Sequence, residues 1–412
     1  MSLFKNIKNY KSLLKNTFFV FSRNAIQKIC GLVTVYILVR LFDKPQFGEY
    51  QFILSLIGLL ALFALPGLQN AITQSVARGF KGTFIATLKP AVLSSLIGSV
   101  ILCILGLWSF FTKTTETHMV FYVAAVLFPA VHGLKYWRAV HAGEERFSAL
   151  FIIDSTATIV TTIFVVIAAF LFSNSIIWPI TAVLLVPSVQ NLFFTYKAIK
   201  STEKNALIEK GSLSYGIKTT LYSSLNIIAN HLDKLLIYAF FSPSALALYF
   251  VSERLSELTK TVAQDLSAVL APRFAKTETY TQRLDKILNL MSIAIGIAIL
   301  LFTFTLVPWI VTLLFGESYS EAIPYTQALL CSVAIGNHAI LRNRFVNSKL
   351  DKKSNRDIAA STALIRILTS VILVPIFGIV GAIVSAFIYR ISTVFVLNYI
   401  IKHRYQSREK NI

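Results

Sequence analysis

Apolar runs long enough to cross a lipid bilayer follow one another along almost the whole chain, and they constrain the fold more than any other feature. With a rise of about 1.5 Å per residue and a hydrocarbon core about 30 Å thick, a crossing helix needs about 20 apolar residues. Such runs fall at 17–42, 49–76, 88–111, 118–140, 149–172, 175–196, 214–241, 245–270, 287–315, 321–346, 356–377 and 379–401. In lipid a helix satisfies its own backbone groups. The expectation is therefore an all-α polytopic membrane protein with twelve transmembrane helices. Leu65-Pro66-Gly67 and Pro308 interrupt two of the runs, where kinks are expected. At 55% hydrophobic and 14% charged residues, no polar segment is left that would form a soluble domain.

The charges fix an orientation. One set of alternate loops, with both tails, holds 29 of the 39 Lys and Arg, and the other set holds only Lys44 and Lys113. Such a bias places both termini in the cytoplasm. It also accounts for the net charge of +20 as a topology signal, so nucleic acid is not expected as a partner. At the N-terminus, Leu3, Ile7, Tyr10 and Leu14 alternate with Lys5, Lys8, Lys11 and Lys15. Residues 1–16 thus read as an amphipathic segment on an anionic lipid surface, or as a basic tail that orients helix 1. The run that follows is too long for a signal-peptide core.

Cys30, Cys103 and Cys331 are odd in number and scattered, which argues against a disulfide framework or a metal site. The chain has no phosphate-binding glycine loop, nucleophile elbow or zinc spacing. No enzymatic chemistry and no cofactor are expected. The outer loops are short, which counts against a membrane polymerase or glycosyltransferase.

A faint repeat suggests two halves. Asn24 precedes Tyr36 by twelve residues, as Asn226 precedes Tyr238, and each helix passes through a short turn to a tyrosine, Tyr50 or Tyr249. The longest polar connector, 197–213, is the natural joint. The expected organisation is a six-helix bundle over 17–196, a linker at 197–213, a second bundle over 214–401 and a cytoplasmic tail at 402–412.

Between Ser223 and Gln264 two such helices meet at Ser242-Pro243-Ser244 and carry charge where hydrocarbon should be. Ser223, Asn226, Asn230, Asp233 and Lys234 share one helical face, and Glu253, Glu257, Lys260 and Gln264 share another. Asp233 and Glu253 each lie nine residues from the turn, about 14 Å deep. Ionisable groups at that depth usually face a water-filled path. Lys28, Arg254, Arg366 and Arg390 also fall near mid-membrane, and Arg23 lies shallower. Cations in a low-dielectric wall attract anions. The candidate anion-binding residues are therefore Arg23, Lys28, Lys234, Arg254, Arg366 and Arg390, and the candidate ion-coupling acids are Asp233, Glu253 and Glu257. A structural pairing of Asp233 or Lys234 with Arg254 or Glu253 across the hairpin stays open. Lys260 and Asp265 read as interfacial, and Lys135, Arg138, Arg342 and Arg344 mostly as topology charges.

Five short segments add a family likeness. They are Tyr36 to Leu41 with Phe47-Gly48-Glu49-Tyr50, Pro66-Gly67-Leu68 and Val76-Ala77-Arg78-Gly79; Leu225-Asn226 to Asp233-Lys234 with Ala247-Leu248-Tyr249; Leu270-Ala271-Pro272-Arg273-Phe274; Leu314 to Tyr319 with Ala322; and Phe377 to Ala382. In order and spacing the chain resembles the polysaccharide-export branch of the multidrug/oligosaccharidyl-lipid/polysaccharide exporters, and within it the O-antigen flippases (Wzx type). Asp43-Lys44-Pro45-Gln46 departs from the usual aromatic-glycine outer turn. The resemblance implies two six-helix bundles around a central cavity (MATE-like) that work by alternating access. It implies undecaprenyl-pyrophosphate-linked oligosaccharide as substrate, moved across the bacterial inner membrane. Protons or sodium would be counter-ions, and membrane lipids, a polysaccharide polymerase and chain-length proteins further partners. A cation-coupled multidrug antiporter of the same fold would favour an acidic cavity, and a peptidoglycan-precursor flippase usually carries extra helices.

Overall fold

The computed structural model describes residues 2–112, 117–203, 205–268, 274, 280–349 and 351–406. The Leu270 to Arg273 part of one motif, the tail from 407, and the side chains of the amphipathic face through Leu14 lie outside the described residues. Described residues in regular elements are helical. The α-helices are α1 (Ser2–Leu41), α2 (Lys44–Leu60), α3 (Leu68–Ala77), α4 (Gly82–Phe111), α5 (Thr117–Phe128), α6 (Trp137–Gly143), α7 (Phe147–Leu171), α8 (Ile177–Ser201), α9 (Ser212–Phe240), α10 (Pro243–Ala268), α11 (Gln282–Thr305), α12 (Val307–Phe315), α13 (Ala322–Ser348) and α14 (Lys352–Ile401).

Among the described residues, eight of the helical stretches are long and apolar enough to cross a membrane. One of them, 353–405, breaks at Gly378, whose φ of 59° and ψ of −130° are not helical. It therefore supplies two crossings that meet at Phe377-Gly378-Ile379. α9, α10 and α13 have 29, 26 and 27 residues, long enough to cross, and are set apart from the eight by the polar and charged side chains they carry. Counted with these, the crossings number twelve.

The interruptions behave as their chemistry dictates. After α2 a 3-10 turn at Ala61–Ala64 ends on Leu65 in the left-handed region, and Pro66-Gly67 then leads into α3. Near Pro308 the break falls at Leu306, which leaves α12 to start with proline in its first turn, where the missing N–H costs nothing. A single turn of π-helix at Pro129–Gly133 separates α5 from α6.

By packing, the chain forms two compact units. Unit 1 comprises 1–43 and 56–224, and unit 2 comprises 44–55 and 225–412. The sequence alone assigns 17–196 and 214–401 to separate bundles. In the structure the first three turns of α2 instead go with unit 2, and the first three turns of α9 go with unit 1.

Side-chain contacts explain both exchanges. In unit 2, Phe52 stacks on Tyr238 at 3.8 Å between centroids, and Phe47 meets Phe250 and Tyr319 edge-on. Gly48 is pressed against the carbonyl of Pro243, with no room for a Cβ. In unit 1, the Gly67 N–H donates to Thr220 Oγ1 at 3.0 Å, and Gly67 has no room for a Cβ beside the Gly216 carbonyl.

Within unit 1, α1 packs along α7, α4 along α5, and α3 against α6. Leu68, Ile72, Phe84, Tyr136 and Trp137 form the core, and the Tyr136 hydroxyl donates to the Ala64 carbonyl freed by the break after α2. Within unit 2, α13 is central and packs on α10, α11 and α14. Asn337 of α13 donates to the Ser292 carbonyl at 3.1 Å. The two halves of α14 are joined by Thr369 and Ser370, whose hydroxyls lie 2.7 and 2.8 Å from that of Ser385.

Candidate functional site

The charged face of α9 is built into a network inside unit 2. Asp233 and Lys234 are neighbours in sequence, so their side chains leave the helix about 100° apart and reach different partners. Asp233, 1% exposed, accepts from Arg366 Nη2 of α14 at 3.1 Å and from the Tyr249 hydroxyl of α10 at 3.3 Å. Lys234 Nζ pairs with Glu253 of α10 at 2.6 Å and donates to its own helix at the Asn230 carbonyl. Arg366 also donates to the Asn230 side chain at 3.2 Å, and its guanidinium lies 5.5 Å from the centre of the Tyr389 ring. Glu257 pairs with Lys260 one turn along α10, at 3.1 Å.

The pairing expected across the α9–α10 hairpin therefore forms between Lys234 and Glu253. Asp233 instead reaches α14. All three candidate coupling acids, Asp233, Glu253 and Glu257, hold a cation of the protein's own. Arg254 and Arg390 form no ion pair with a described carboxylate, and the Nε of each is buried without a hydrogen-bond partner. After pairing, this part of unit 2 keeps a positive surplus. Arg390 also lines a cavity of about 300 Å³ with Lys260 and Gln264 of α10 and Asn343, Arg344 and Asn347 of α13.

Arg23 and Lys28 belong to unit 1. Arg23 lies 3.3 Å from Asp154 on α7, and the other oxygen of Asp154 accepts from Arg138 at 2.8 Å. Arg138 further donates to Asn191 and Gln190 on α8, at 2.7 and 2.8 Å, and Trp137 Nε1 donates to Asn191. Arg23 is thus half of a two-arginine clamp on one carboxylate that ties α1 to α7. Lys28 lies part-buried on α1.

Two residues read as topology charges have structural work instead. Arg138 is the hub just described. Arg342, 3% exposed, donates to Asp285 at 2.6 Å and Asn289 at 2.8 Å, and the Tyr280 hydroxyl shares Asp285 at 2.6 Å. Their position near helix ends hides such partners, which come from other helices. The cavity neighbours Lys260 and Arg344 read in the sequence as an interfacial and a topology charge, and the structure places both on the cavity wall. Asn343 and Asn347 on the same stretch of α13, one turn apart, were the available hint of a polar face.

A sequence model of the family described as polysaccharide biosynthesis protein matches residues 13–278. No curated protein matches the sequence. Among solved structures, the fold is similar to lipid II flippase MurJ in an inward closed conformation, with a TM-score of 0.65, 13% identity, and 94% of this chain and 87% of that one covered. An inward-facing multidrug resistance MATE family transporter of the MOP superfamily aligns with a TM-score of 0.63 and 13% identity, over 93% of this chain and 98% of that one. A MOP superfamily transporter from Pyrococcus furiosus, described by a reverse polarity of its binding pocket, aligns with a TM-score of 0.58 and 12% identity, over 95% and 96%. At such identities these structures establish a common fold.

Proposed function

Because the chain belongs to the polysaccharide biosynthesis protein family, we propose that it is a flippase for undecaprenyl-pyrophosphate-linked oligosaccharide repeat units of the O-antigen or capsule type. The observation that carries the reading is the positive surplus in unit 2. Asp233, Glu253 and Glu257 are each matched by a cation, while Arg254 and Arg390 form no ion pair with a described carboxylate. A cationic wall in a poorly screened environment favours a phosphate-bearing substrate, and it disfavours the cations a multidrug antiporter would carry. Similarity in fold to a lipid II flippase is consistent with a lipid-linked cargo.

In this reading the protein lies in the bacterial inner membrane with both termini in the cytoplasm, as its loop charges favour. The lipid tail stays in the bilayer while the headgroup passes through the protein by alternating access. The matched pairs give the cycle a chemical handle. If an anionic headgroup draws Lys234 or Arg366 away from its acid, Glu253 or Asp233 is left to take up a proton or sodium ion. Net movement follows a gradient or the consumption of product.

The test is deletion in the native host, with surface polysaccharide and the leaflet of the lipid-linked repeat unit as readouts. Loss of polymer with intact units stranded in the cytoplasmic leaflet is the expected result. Single units reaching the periplasm without polymer would point to a polymerase. Unchanged glycan with raised drug sensitivity would favour an antiporter.

A further inference from the structure

We propose that Lys260, Arg344 and Arg390 form a docking pocket for a diphosphate group, resting on the reading of the chain as a carrier of lipid-linked saccharide. Three helices of unit 2 deliver these cations to one cavity of about 300 Å³. α10 supplies Lys260, α13 supplies Arg344 and the second half of α14 supplies Arg390. Sequence spacing does not group the three, because 84 and 46 residues separate them.

The pocket is assembled rather than incidental. Gly336 makes room for Arg390, since a Cβ there would lie only 3.1 Å from the arginine Cδ. Arg344 is held in place by Nη2 donating to the Gln264 carbonyl at 3.2 Å and Nε donating to Ser267 at 3.4 Å. Those bonds use two of its five donors and leave the rest of the fork for a ligand. Arg390 Nε is buried with no hydrogen-bond partner. A buried charged donor of that kind is costly unless something answers it.

Charge and size select the ligand. Glu257 pairs with Lys260 and also lies close enough to act on Arg390, but it offsets only one of three cations. The two guanidiniums form no ion pair with a described carboxylate, so the pocket presents about two unmatched charges. A diphosphate diester carries about two negative charges, and phosphate oxygens accept from guanidinium forks in paired fashion. Gln264, Asn343 and Asn347 on the wall add amide donors. At about 300 Å³ the cavity is at the small end of ligand sites: it admits the diphosphate and excludes an oligosaccharide, which must extend outside it.

The pocket also adjoins the ion-pair network. Tyr389 lines the cavity while Arg366 lies over its ring, so filling the pocket changes the field at the Asp233–Arg366 pair.

The experiment uses the full-length purified protein and inorganic pyrophosphate as probe, with binding followed by calorimetry and by thermal stabilisation. Runs are made in phosphatidylcholine nanodiscs and again in phosphatidylglycerol nanodiscs. Pyrophosphate should bind in both and weaken with added salt. Arg390→Gln and Arg344→Gln should each weaken it roughly ten- to hundredfold, and Lys260→Gln by less, because Glu257 already shares that charge. Arg344→Lys, which keeps the charge but loses the fork, should fall between wild type and Arg344→Gln and serves if the Arg390 variant does not fold.

No pyrophosphate binding, or equal binding by wild type and variants, would overturn the pocket. Binding in phosphatidylcholine that vanishes in phosphatidylglycerol would assign the site to a phospholipid headgroup instead. The outcome is separable from the flippase reading. Pyrophosphate binding lost in the variants, with the deletion strain showing normal glycan, would keep the pocket and reject the flippase. Stranded repeat units without pyrophosphate binding would do the reverse.

Discussion

Asp233→Asn removes the one described carboxylate that answers Arg366 at short range, and its cost follows from the geometry. The two side chains are 2% and 13% exposed and 3.1 Å apart, so solvent screens them little. Breaking a buried pair by neutralising one partner costs about 3–5 kcal/mol, because the other charge stays buried and uncompensated. Glu253 also acts on Arg366 and softens the loss, which places the expected value near the lower limit, about 3 kcal/mol. For a unit of this size that corresponds to a fall in melting temperature of roughly 6–12 °C. The assay is thermal unfolding of the purified full-length protein followed by tryptophan fluorescence, where Trp309 reports on unit 2. Arg366→Met alone should cost a similar amount, and the double variant should recover most of the loss. A coupling of about 2 kcal/mol or more in that cycle is expected of residues in direct contact. Additive effects, or single losses below about 1 kcal/mol, would show that the pair contributes nothing and refute the reasoning. The same variant tests the coupling role: if Asp233→Asn and Glu253→Gln both leave surface glycan and its ion dependence unchanged, neither acid couples transport.

The remaining expectations concern single sites. Glu253→Gln leaves Lys234 its bond to the Asn230 carbonyl, so it should cost less than Asp233→Asn, about 2 kcal/mol, in the same melting assay. Gly48→Ala drives a Cβ into the backbone of Pro243, which cannot yield, and should abolish recovery of monodisperse protein by size exclusion. Gly79→Ala, at φ +95° with open space around it, should lose only about 1–2 kcal/mol and still be recovered. Asp351 caps α14, accepting from the Ser354 hydroxyl at 2.6 Å and from the backbone N–H groups of Lys353 and Ser354. The Ser354 hydroxyl first of all holds its carboxyl below the usual carboxylate range. Its folded value is therefore depressed, so its stabilisation is present above the unfolded value near 4 and disappears as pH falls through the lower folded one. The melting gap between wild type and Asp351→Ala should accordingly be open at pH 7 and narrow progressively as pH falls below about 4.

Much of the fold was legible because lipid leaves the chain few choices. Run length alone announces crossings, and Pro66, Pro308 and Gly378 mark breaks because each removes a donor or permits a backbone angle that other residues resist. Chain exchange between the units was not legible. Phe47, Gly48 and Phe52 look like ordinary members of an apolar run. Only their partners, Pro243, Phe250 and Tyr238, show that the first half of α2 is committed to the second unit. The motif glycines Gly48 and Gly67 carried this information in a form that spacing cannot read, since a close approach between helices leaves no periodic signal.

The candidate site divides along the same line. Depth in the membrane is a property of position along one helix, so Asp233, Glu253, Arg366 and Arg390 could be found by counting from a turn. Pairing is a property of two helices. Counting could not tell that Asp233 would take its cation from α14 rather than from α10, nor that Arg23 would be absorbed by Asp154 with Arg138. The rule that cations near inner helix ends orient the protein also has a blind spot: it accounts for Lys260, Arg342 and Arg344 before their surroundings are known. Of the three, Arg342 proved to be a buried anchor on Asp285, whereas Lys260 and Arg344 face a cavity with Arg390. What separates Arg342 from Arg344 is that a carboxylate of the chain already answers the first, while Lys260 stands between them, facing the cavity with its charge shared by Glu257. Two guanidiniums that form no ion pair with a described carboxylate, brought from separate helices to one small cavity, suit an anion from outside the chain, and the pyrophosphate titration measures that fit directly.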